Sequence, residues 1–190
     1  VLNISSGDIG TEVSPTLYGV SLDDSSFGAD GGLSSNMVNN NSFEYADNPE
    51  YAWAFNGVSP VVSNQNPINQ NNPTYETITV ESQGSMVNKG YTKLFDGKGN
   101  YSSKVAEKSE MNFEKGAVYY FSCYLLNVDF QGKIGVFLDS KSNNSDPVQL
   151  NINNINKNSW TKVSVKIKSS GTESGGLGIS FNGTGSICID

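Results

Sequence analysis

Aromatic side chains occupy alternate positions in several extended segments that the sequence predicts. Tyr120 and Tyr124 share one face of such a segment, and Phe137 lies on the non-core face of the next one. Asp139 and Gln149 lie on non-core faces too, because residues two apart on a strand point to the same side. Rings bordered by hydrogen-bonding groups suit a neutral sugar, whose C–H face stacks while its hydroxyl groups bind amides and carboxylates. We predict a sugar-binding surface here; the alternative is that these rings pack beneath loops or the N-terminal segment.

A second aromatic stripe consists of Tyr51, Trp53 and Phe55. We favour one buried face of an early strand as its explanation, because aromatic residues are enriched in half-buried strands. If the stripe lines the edge of a groove instead, Trp53 becomes the strongest candidate for stacking on a sugar. Trp160 begins a predicted strand, and we expect it to close one end of the core.

Catalysis by this chain would have to rest on carboxylates. The sequence has no His, and its 12 basic residues are all Lys, which excludes His-based triads, imidazole zinc sites and bidentate Arg recognition of phosphate. Glycoside hydrolysis needs two carboxyl groups about 5 to 9.5 Å apart. The residue type is supplied by Asp23, Asp24, Glu44, Asp96 and Asp139. Adjacent acids in a loop are commonly only solvated, so we do not expect independent catalysis.

Net charge and hydropathy limit the classes of partner that the protein is expected to bind. The formal net charge is -7 and the pI is about 4.5, which disfavours nucleic acid and anionic membrane surfaces, since both bind clustered Lys and Arg. No segment approaches the ~20 consecutive apolar residues that span a bilayer. The chain starts at Val1 without a leader-like segment, which suggests a mature fragment or an excised module. The remaining candidate partners are neutral ligands and metal cations.

Short apolar runs separated by Gly, Ser and Asn predict an all-β fold. Their regular spacing after Thr74 indicates a jelly-roll β-sandwich of antiparallel strands. The predicted strands are 1–4, 16–20, 75–80, 84–87, 101–105, 117–126, 133–138, 148–152, 160–168, 176–182 and 186–189. The spacing of Leu33, Met37 and Val38 predicts one short helix near residues 33–40. Residues 56–74, rich in Asn, Gln, Ser and Pro, predict a long surface connection.

A length of 190 residues suits one domain and is too short for an α/β-barrel enzyme of about 250 residues. We predict a single sandwich over residues 1–190, with 1–32 as an N-terminal extension packed on it. Cys123 shares strand parity with Phe121 and Leu125, so we expect a small buried hydrophobe. A bridge between Cys123 and Cys188 is possible but has no support from their spacing.

Several motifs resemble known families. Residues 13–20 (Val-Ser-Pro-Thr-Leu-Tyr-Gly-Val), 29–33 (Ala-Asp-Gly-Gly-Leu) and 41–44 (Asn-Ser-Phe-Glu) resemble the N-terminal region of family 51 glycoside hydrolases, the α-L-arabinofuranosidases. Residues 72–75, 87–91, 114–119 and 185–190 are similar to the β-sandwich of family 4/9 carbohydrate-binding modules. The family's Asn-His after the Tyr-Gly pair is missing, and its catalytic barrel is not in this chain. The resemblance therefore does not imply arabinofuranosidase activity for this chain.

The resemblance also implies a metal. Modules of the 4/9 type often hold a structural calcium between the Glu of an Asn-x-Phe-Glu motif and a terminal Asp, which here are Glu44 and Asp190. Carboxylates suit Ca²⁺, which takes about six to eight hard oxygen ligands.

These observations together predict a non-catalytic carbohydrate-binding module. It would bind neutral plant cell-wall polysaccharide of the arabinoxylan, xylan or β-glucan type for an attached glycoside hydrolase. The alternative is a structural or adhesion β-sandwich without a sugar site. The expected partners are polysaccharides or oligosaccharides, with no nucleic acid and no membrane, and the module is expected to be a monomer within a larger multi-domain chain. The expected location is extracellular, secreted or at the cell surface.

Overall fold

The computed structural model describes residues 36–91, 111–143, 146–155, 157 and 159–190. Residues Met37–Asp190 group into one compact unit, and all regular structure in the described part is β-strand. The strands are β1 (Trp53–Ser63), β2 (Tyr75–Asn88), β3 (Met111–Phe113), β4 (Val118–Asn127), β5 (Gln131–Asp139), β6 (Val148–Gln149), β7 (Thr161–Lys168) and β8 (Glu173–Ile189). The predicted antiparallel all-β fold is confirmed. The proposed extension 1–32 and the predicted strands 1–4, 16–20 and 101–105 lie outside the described residues.

Strand β8 organises the sheet. It pairs with β2 along nearly its whole length, and β1 pairs with the other edge of β2. On its opposite side, β8 pairs with β5 and then, at its end, with β4. Strand β6 pairs with β5, β7 with β4, and β3 with the start of β8. We call β5, β6 and residues 176–184 of β8, with the facing parts of β2 and β1, the β5 sheet. We call β4, β7 and residues 187–189 of β8 the β4 sheet.

Glycine permits the irregular backbone where one sheet passes into the other. The register between β1 and β2 shifts between Asn56 and Val58, and the intervening Gly57 has a φ of 66°. A Cβ on Gly57 would lie 2.7 Å from the carbonyl oxygen of Gln83. An L-residue with a side chain is disfavoured in this left-handed region, so the bulge needs glycine.

The main hydrophobic core lies beneath both sheets. As predicted, β4 contributes Phe121, Cys123 and Leu125. The predicted core positions of β5 (Ile134, Val136 and Leu138) and two of β7 (Val163 and Ile167) are buried as well. Both cysteines are buried and unbonded. Because the apolar residues alternate, the intervening side chains of each strand point away from this core, and these define the outward faces discussed below.

The predicted short helix is wrong over its described residues, 36–40. The backbone turns at Asn39 and Asn40, and the φ of Asn40 is 51°, which a right-handed helix does not allow. Asn39 N–H donates to Asn88 Oδ1 at 3.1 Å, and Asn88 Nδ2 donates to the Asn39 carbonyl at 2.8 Å. These side-chain hydrogen bonds replace the helical ones. Met37 and Val38 still pack against the core.

Several strand boundaries also differ from the prediction. The connection predicted over 56–74 is wrong in its first part, because β1 continues to Ser63. Strands β2 and β8 are each continuous where two separate strands were predicted. Strand β6 covers only two residues, and Val148, predicted to be core, is 37% exposed.

Candidate functional site

The structure places the six predicted sugar-binding residues in three locations. Phe137 and Asp139 lie on the outward face of the β5 sheet, and Gln149 lies opposite Gly135 on the neighbouring strand. Tyr120 and Tyr124 lie on the outward face of the β4 sheet, and Trp53 lies in the core. Phe137 pairs with β8 near its start, whereas Tyr124 hydrogen-bonds to Asp190 just beyond its end. The two outward faces are therefore separate candidates.

A cleft of about 500 Å³ crosses the outward face of the β5 sheet. Residues of five strand regions line it: Asn56, Gly57, Gln83, Gly84, Lys133, Gly135, Pro147, Gln149, Ser180, Phe181 and Asn182. The register arranges their side chains in rows across the sheet. One row contains Gln83, Asn182 and Lys133. The next contains Ser180, Gly135 and Gln149, so the cleft presents mainly amide, hydroxyl and ammonium groups.

Most of these polar groups are free to bind a ligand. Within the described residues, the side chains of Asn56, Gln83, Asn182 and Lys133 form no hydrogen bond or ion pair. Gln149 Nε2 donates to the carbonyl oxygen of Pro147 at 3.1 Å, which orients the amide. An amide offers both donors and an acceptor. The cleft can therefore satisfy hydroxyl groups, which are donors and acceptors at once.

Phe137 adds an apolar surface beside the cleft, in the row after Ser180 and Gly135. Its ring lies over Gly178, because a Cβ on Gly178 would be 2.1 Å from a ring atom. Gly135 similarly keeps the floor of the cleft low, since a Cβ there would lie 2.6 Å from Pro147 Cβ. Glycine at these two positions creates space for the ring and for the cleft.

Asp139 lies one row beyond Phe137. One of its oxygens is 3.7 Å from Lys89 Nζ, and both side chains are partly exposed. An exposed pair of this kind contributes about 0 to 1 kcal/mol, so Asp139 remains accessible to a ligand. It does not line the cleft itself.

Tyr120 and Tyr124 lie beside lysines of β7. Tyr120 is 76% exposed and pairs with Lys166, whose Nζ is 5.1 Å from the ring centroid. Tyr124 is 37% exposed and pairs with Lys162, whose Nζ is 5.8 Å from its ring. Both contacts have cation–π geometry. An ammonium group therefore covers part of each ring face.

Trp53 is not available for stacking on a sugar. It is 7% exposed, and its ring stacks on Phe43 with 5.5 Å between centroids. Its Nε1 donates to the Asn40 carbonyl at 3.0 Å, which satisfies its polar atom. The preferred interpretation, a buried strand face, is confirmed for this residue. Trp160 packs edge-on against Tyr75, in a small cluster separate from the main core.

The two predicted metal ligands lie close to each other. Glu44 accepts hydrogen bonds from Thr74, at 2.7 Å from the amide and 2.9 Å from the hydroxyl. Burial, together with the nearby charge of Glu44, raises the pKa of Asp190 to about 6. A third acid, Glu76, lies opposite Ile189 in the strand register, next to Asp190 in sequence.

Glu76 is the unexpected member of this group. Its side chain is fully buried, and neither carboxylate oxygen has a hydrogen-bond partner among the residues that the structure describes. Burial raises the pKa of Glu76 to about 8, and Glu50 adds repulsion. Asn40 Oδ1 is also buried and unpartnered. These orphaned oxygens are hard donors of the kind Ca²⁺ takes, although no three acid or thiol side chains among the described residues are already grouped to hold a metal.

Sequence reasoning missed several of these residues. Asn56 was assigned to a loop, and Gln83 fell between two predicted strands. Asn182 ended a predicted strand but was given no role, although Ser180 and Asn182 alternate with buried Ile179 and Phe181. That alternation is the signal that could have placed them on an outward face. No sequence pattern indicated that Glu76 would be buried, because a Glu between Tyr and Thr usually lies on the exposed side of a strand.

No family model matches the sequence. An extracellular exo-alpha-L-arabinofuranosidase from Streptomyces chartreusis is 35% identical over 88 residues, 43% of this chain and 10% of that enzyme. The chain thus spans about a tenth of the length of this relative.

Among solved structures, the enzymatically active domain of tailspike protein 4 from bacteriophage CBA120 matches with a TM-score of 0.51 and 14% identity. The match covers 81% of this chain and 20% of the tailspike chain, and it concerns the fold alone. The CBM22-1 xylan-binding domain of Paenibacillus barcinonensis Xyn10C matches with a TM-score of 0.46 and 15% identity, over 73% of this chain and 81% of that domain. In the described part of this chain, no helix is long and apolar enough to cross a membrane.

Proposed function

We propose that this chain is a non-catalytic carbohydrate-binding module that binds a neutral polysaccharide of the plant cell-wall type for an attached glycoside hydrolase. The cleft on the β5 sheet carries this proposal. Its free amide groups suit sugar hydroxyls, and Phe137 beside it offers a ring for the C–H face of a sugar. Binding would raise the local concentration of an attached catalytic domain at its substrate.

The composition of the cleft favours binding over hydrolysis. None of the described residues that line it is Asp or Glu, whereas glycoside hydrolysis uses two carboxyl groups on either side of the bond. The similarity to an extracellular arabinofuranosidase over part of the chain supports an association with such an enzyme, and it supports an extracellular location. Affinity should be modest, because an open cleft with one ring buries little of a sugar.

We also propose a structural calcium ion at Glu44 and Asp190. The donor set supports such an ion, because Ca²⁺ takes carboxylate oxygens and the charge of Glu44 contributes to the raised pKa of Asp190. Glu44 and Asp190 would hold it, together with nearby backbone carbonyl groups. The ion would neutralise the mutual repulsion of the acids and fix the segment around Glu44 to the end of β8.

Affinity gel electrophoresis tests the proposed function. We expect at least one of arabinoxylan, xylan, β-glucan or galactan to retard the protein. A Gln149→Ala/Asn182→Ala variant should lose most of that retardation, because each lost ligand hydrogen bond costs about 1 kcal/mol. Gln65→Ala, which removes an exposed amide outside the cleft, is the matched control. Absence of retardation by every neutral polysaccharide would contradict the proposal and favour a structural role.

A further inference from the structure

The outward face of the β4 sheet carries an ordered ladder of tyrosines and lysines, which we call the β4 face. Strands β4 and β7 place Tyr120 opposite Lys166, Ser122 opposite Ser164, and Tyr124 opposite Lys162. Tyr120 and Tyr124 are four residues apart on one strand, which corresponds to about 13 Å. The ladder is therefore long enough to contact more than one unit of an extended ligand.

The β4 face is positive on a protein that is negative overall. Its outward positions on β7 include Lys162, Lys166 and Lys168, all of which are exposed. The outward positions of β4 carry no acid: they are Val118, Tyr120, Ser122, Tyr124 and Leu126. The nearest acid in the register is Asp190, opposite Tyr124. The lysines give this face a positive charge, whereas the chain as a whole has a net charge of -7.

The positions of the lysines determine which sugars suit the rings. A neutral sugar that stacked on Tyr120 or Tyr124 would have to displace an ammonium group that already contacts the ring. A sugar that carries a carboxylate would instead gain an ion pair with that ammonium group, while its ring contacts the exposed part of the tyrosine.

Edge protection alone does not account for this arrangement. Strand β7 is the last strand of the order β1-β2-β8-β4-β7, and lysines on such an edge discourage strand pairing between molecules. That role needs charge on β7 but does not need large aromatic residues on the neighbouring strand. Tyr120 nevertheless leaves 76% of its surface in water.

We propose that the β4 face is a second saccharide-binding surface, specific for acidic glycans whose uronate groups pair with Lys162 and Lys166 beside Tyr120 and Tyr124. This inference deepens the proposed carbohydrate-binding role, but it depends on a different surface from the cleft. An acidic protein segment would meet the same lysines, and it would not require the tyrosine rings.

Polygalacturonate and its fully methyl-esterified form are the matched ligands for the test, because they share one backbone and differ in charge. We expect the wild-type protein to bind polygalacturonate, to bind the ester at least about tenfold more weakly, and to lose binding as sodium chloride is added. Lys162→Gln/Lys166→Gln and Tyr120→Ala/Tyr124→Ala should each weaken binding by about tenfold, the effect of roughly 1.4 kcal/mol. Lys89→Gln/Lys141→Gln makes the same charge change beside β5, away from β4 and β7, and should bind normally.

The outcomes distinguish binding of acidic glycans at the β4 face from binding of neutral sugars in the cleft. Gln149→Ala/Asn182→Ala should retain polygalacturonate binding, even if no neutral glycan binds the wild type. Equal binding of polygalacturonate and its ester would overturn the inference. So would normal binding by the tyrosine variant, which would point to a nonspecific polyanion or an acidic protein as the partner. Melting curves confirm that each variant is folded, and the exposed lysine substitutions should not affect folding.

Discussion

At the scale of single residues, Glu76 is the group that packing explains least. A fully buried carboxyl group without a partner is costly unless it is protonated or a cation compensates it. The sequence pattern correctly predicted that Cys123 would be buried, since that follows from strand parity. It could not predict the burial of Glu76, because that depends on which segments cover the start of β2.

The pH dependence of stability tests the state of Glu76. Burial raises its pKa from the ordinary 4.5 to about 8, so the folded protein retains a proton that the unfolded chain releases. In excess chelator, stability should therefore fall as pH rises from about 5 to about 8 and then level off. The raised pKa of Asp190 acts in the same direction at lower pH. Calcium should restore stability most at the higher pH, where the carboxylates are ionised.

Melting temperatures of the wild type and of Glu76→Gln, measured across this pH range, provide the comparison. The variant should lose most of the slope between pH 5 and 8, whereas Glu81→Gln, on an exposed position of the same strand, should keep it. Parallel profiles for the wild type and Glu76→Gln would show that Glu76 does not titrate as described. An unchanged melting temperature on adding calcium to chelator-treated protein would contradict the calcium site.

At the scale of strands, the face assignments were predictable and the strand lengths were not. Alternation identified the core sides of β4, β5 and β7, because a residue's side of the sheet depends only on its parity. It failed at Gly57 and Gly84, where a local sequence reading expects a break but the sheet continues through a bulge. The division of five of the six predicted site residues between two outward faces also depends on how β4 and β5 pair with β8, which no local pattern contains.

Gly57→Ala tests the importance of the bulge between β1 and β2. The left-handed φ costs an L-residue about 1 to 2 kcal/mol, and the new Cβ would also collide with the Gln83 carbonyl. Gly116→Ala is a matched control, because Gly116 has a φ of 86° but no atom within 4 Å of the added Cβ. Urea unfolding should show a larger loss of free energy of unfolding for Gly57→Ala than for Gly116→Ala. Equal losses would mean that the close contact at Gly57 is unimportant.

At the scale of the whole molecule, the sandwich presents two outward faces of different chemistry. The β5 sheet offers a polar cleft with one adjacent ring, and the β4 face offers tyrosines paired with lysines. Composition alone excludes chemistry that needs a His or Arg of this chain, since this depends only on which residues are present. The assignment of a ligand to a face depends on the folded sheet. One sugar-binding surface was therefore predicted from residues that lie on two different faces.

The most direct measurement of the central claim is a titration of the isotope-labelled protein with neutral xylo- and arabino-oligosaccharides, followed by backbone amide chemical shifts. We predict saturable shifts that concentrate at the cleft, at Gly135, Gln149, Ser180 and Asn182, with little change at Tyr120 and Tyr124. Saturable shifts confined to the β4 face, or none with any neutral oligosaccharide, would contradict the proposal that the cleft binds neutral sugar.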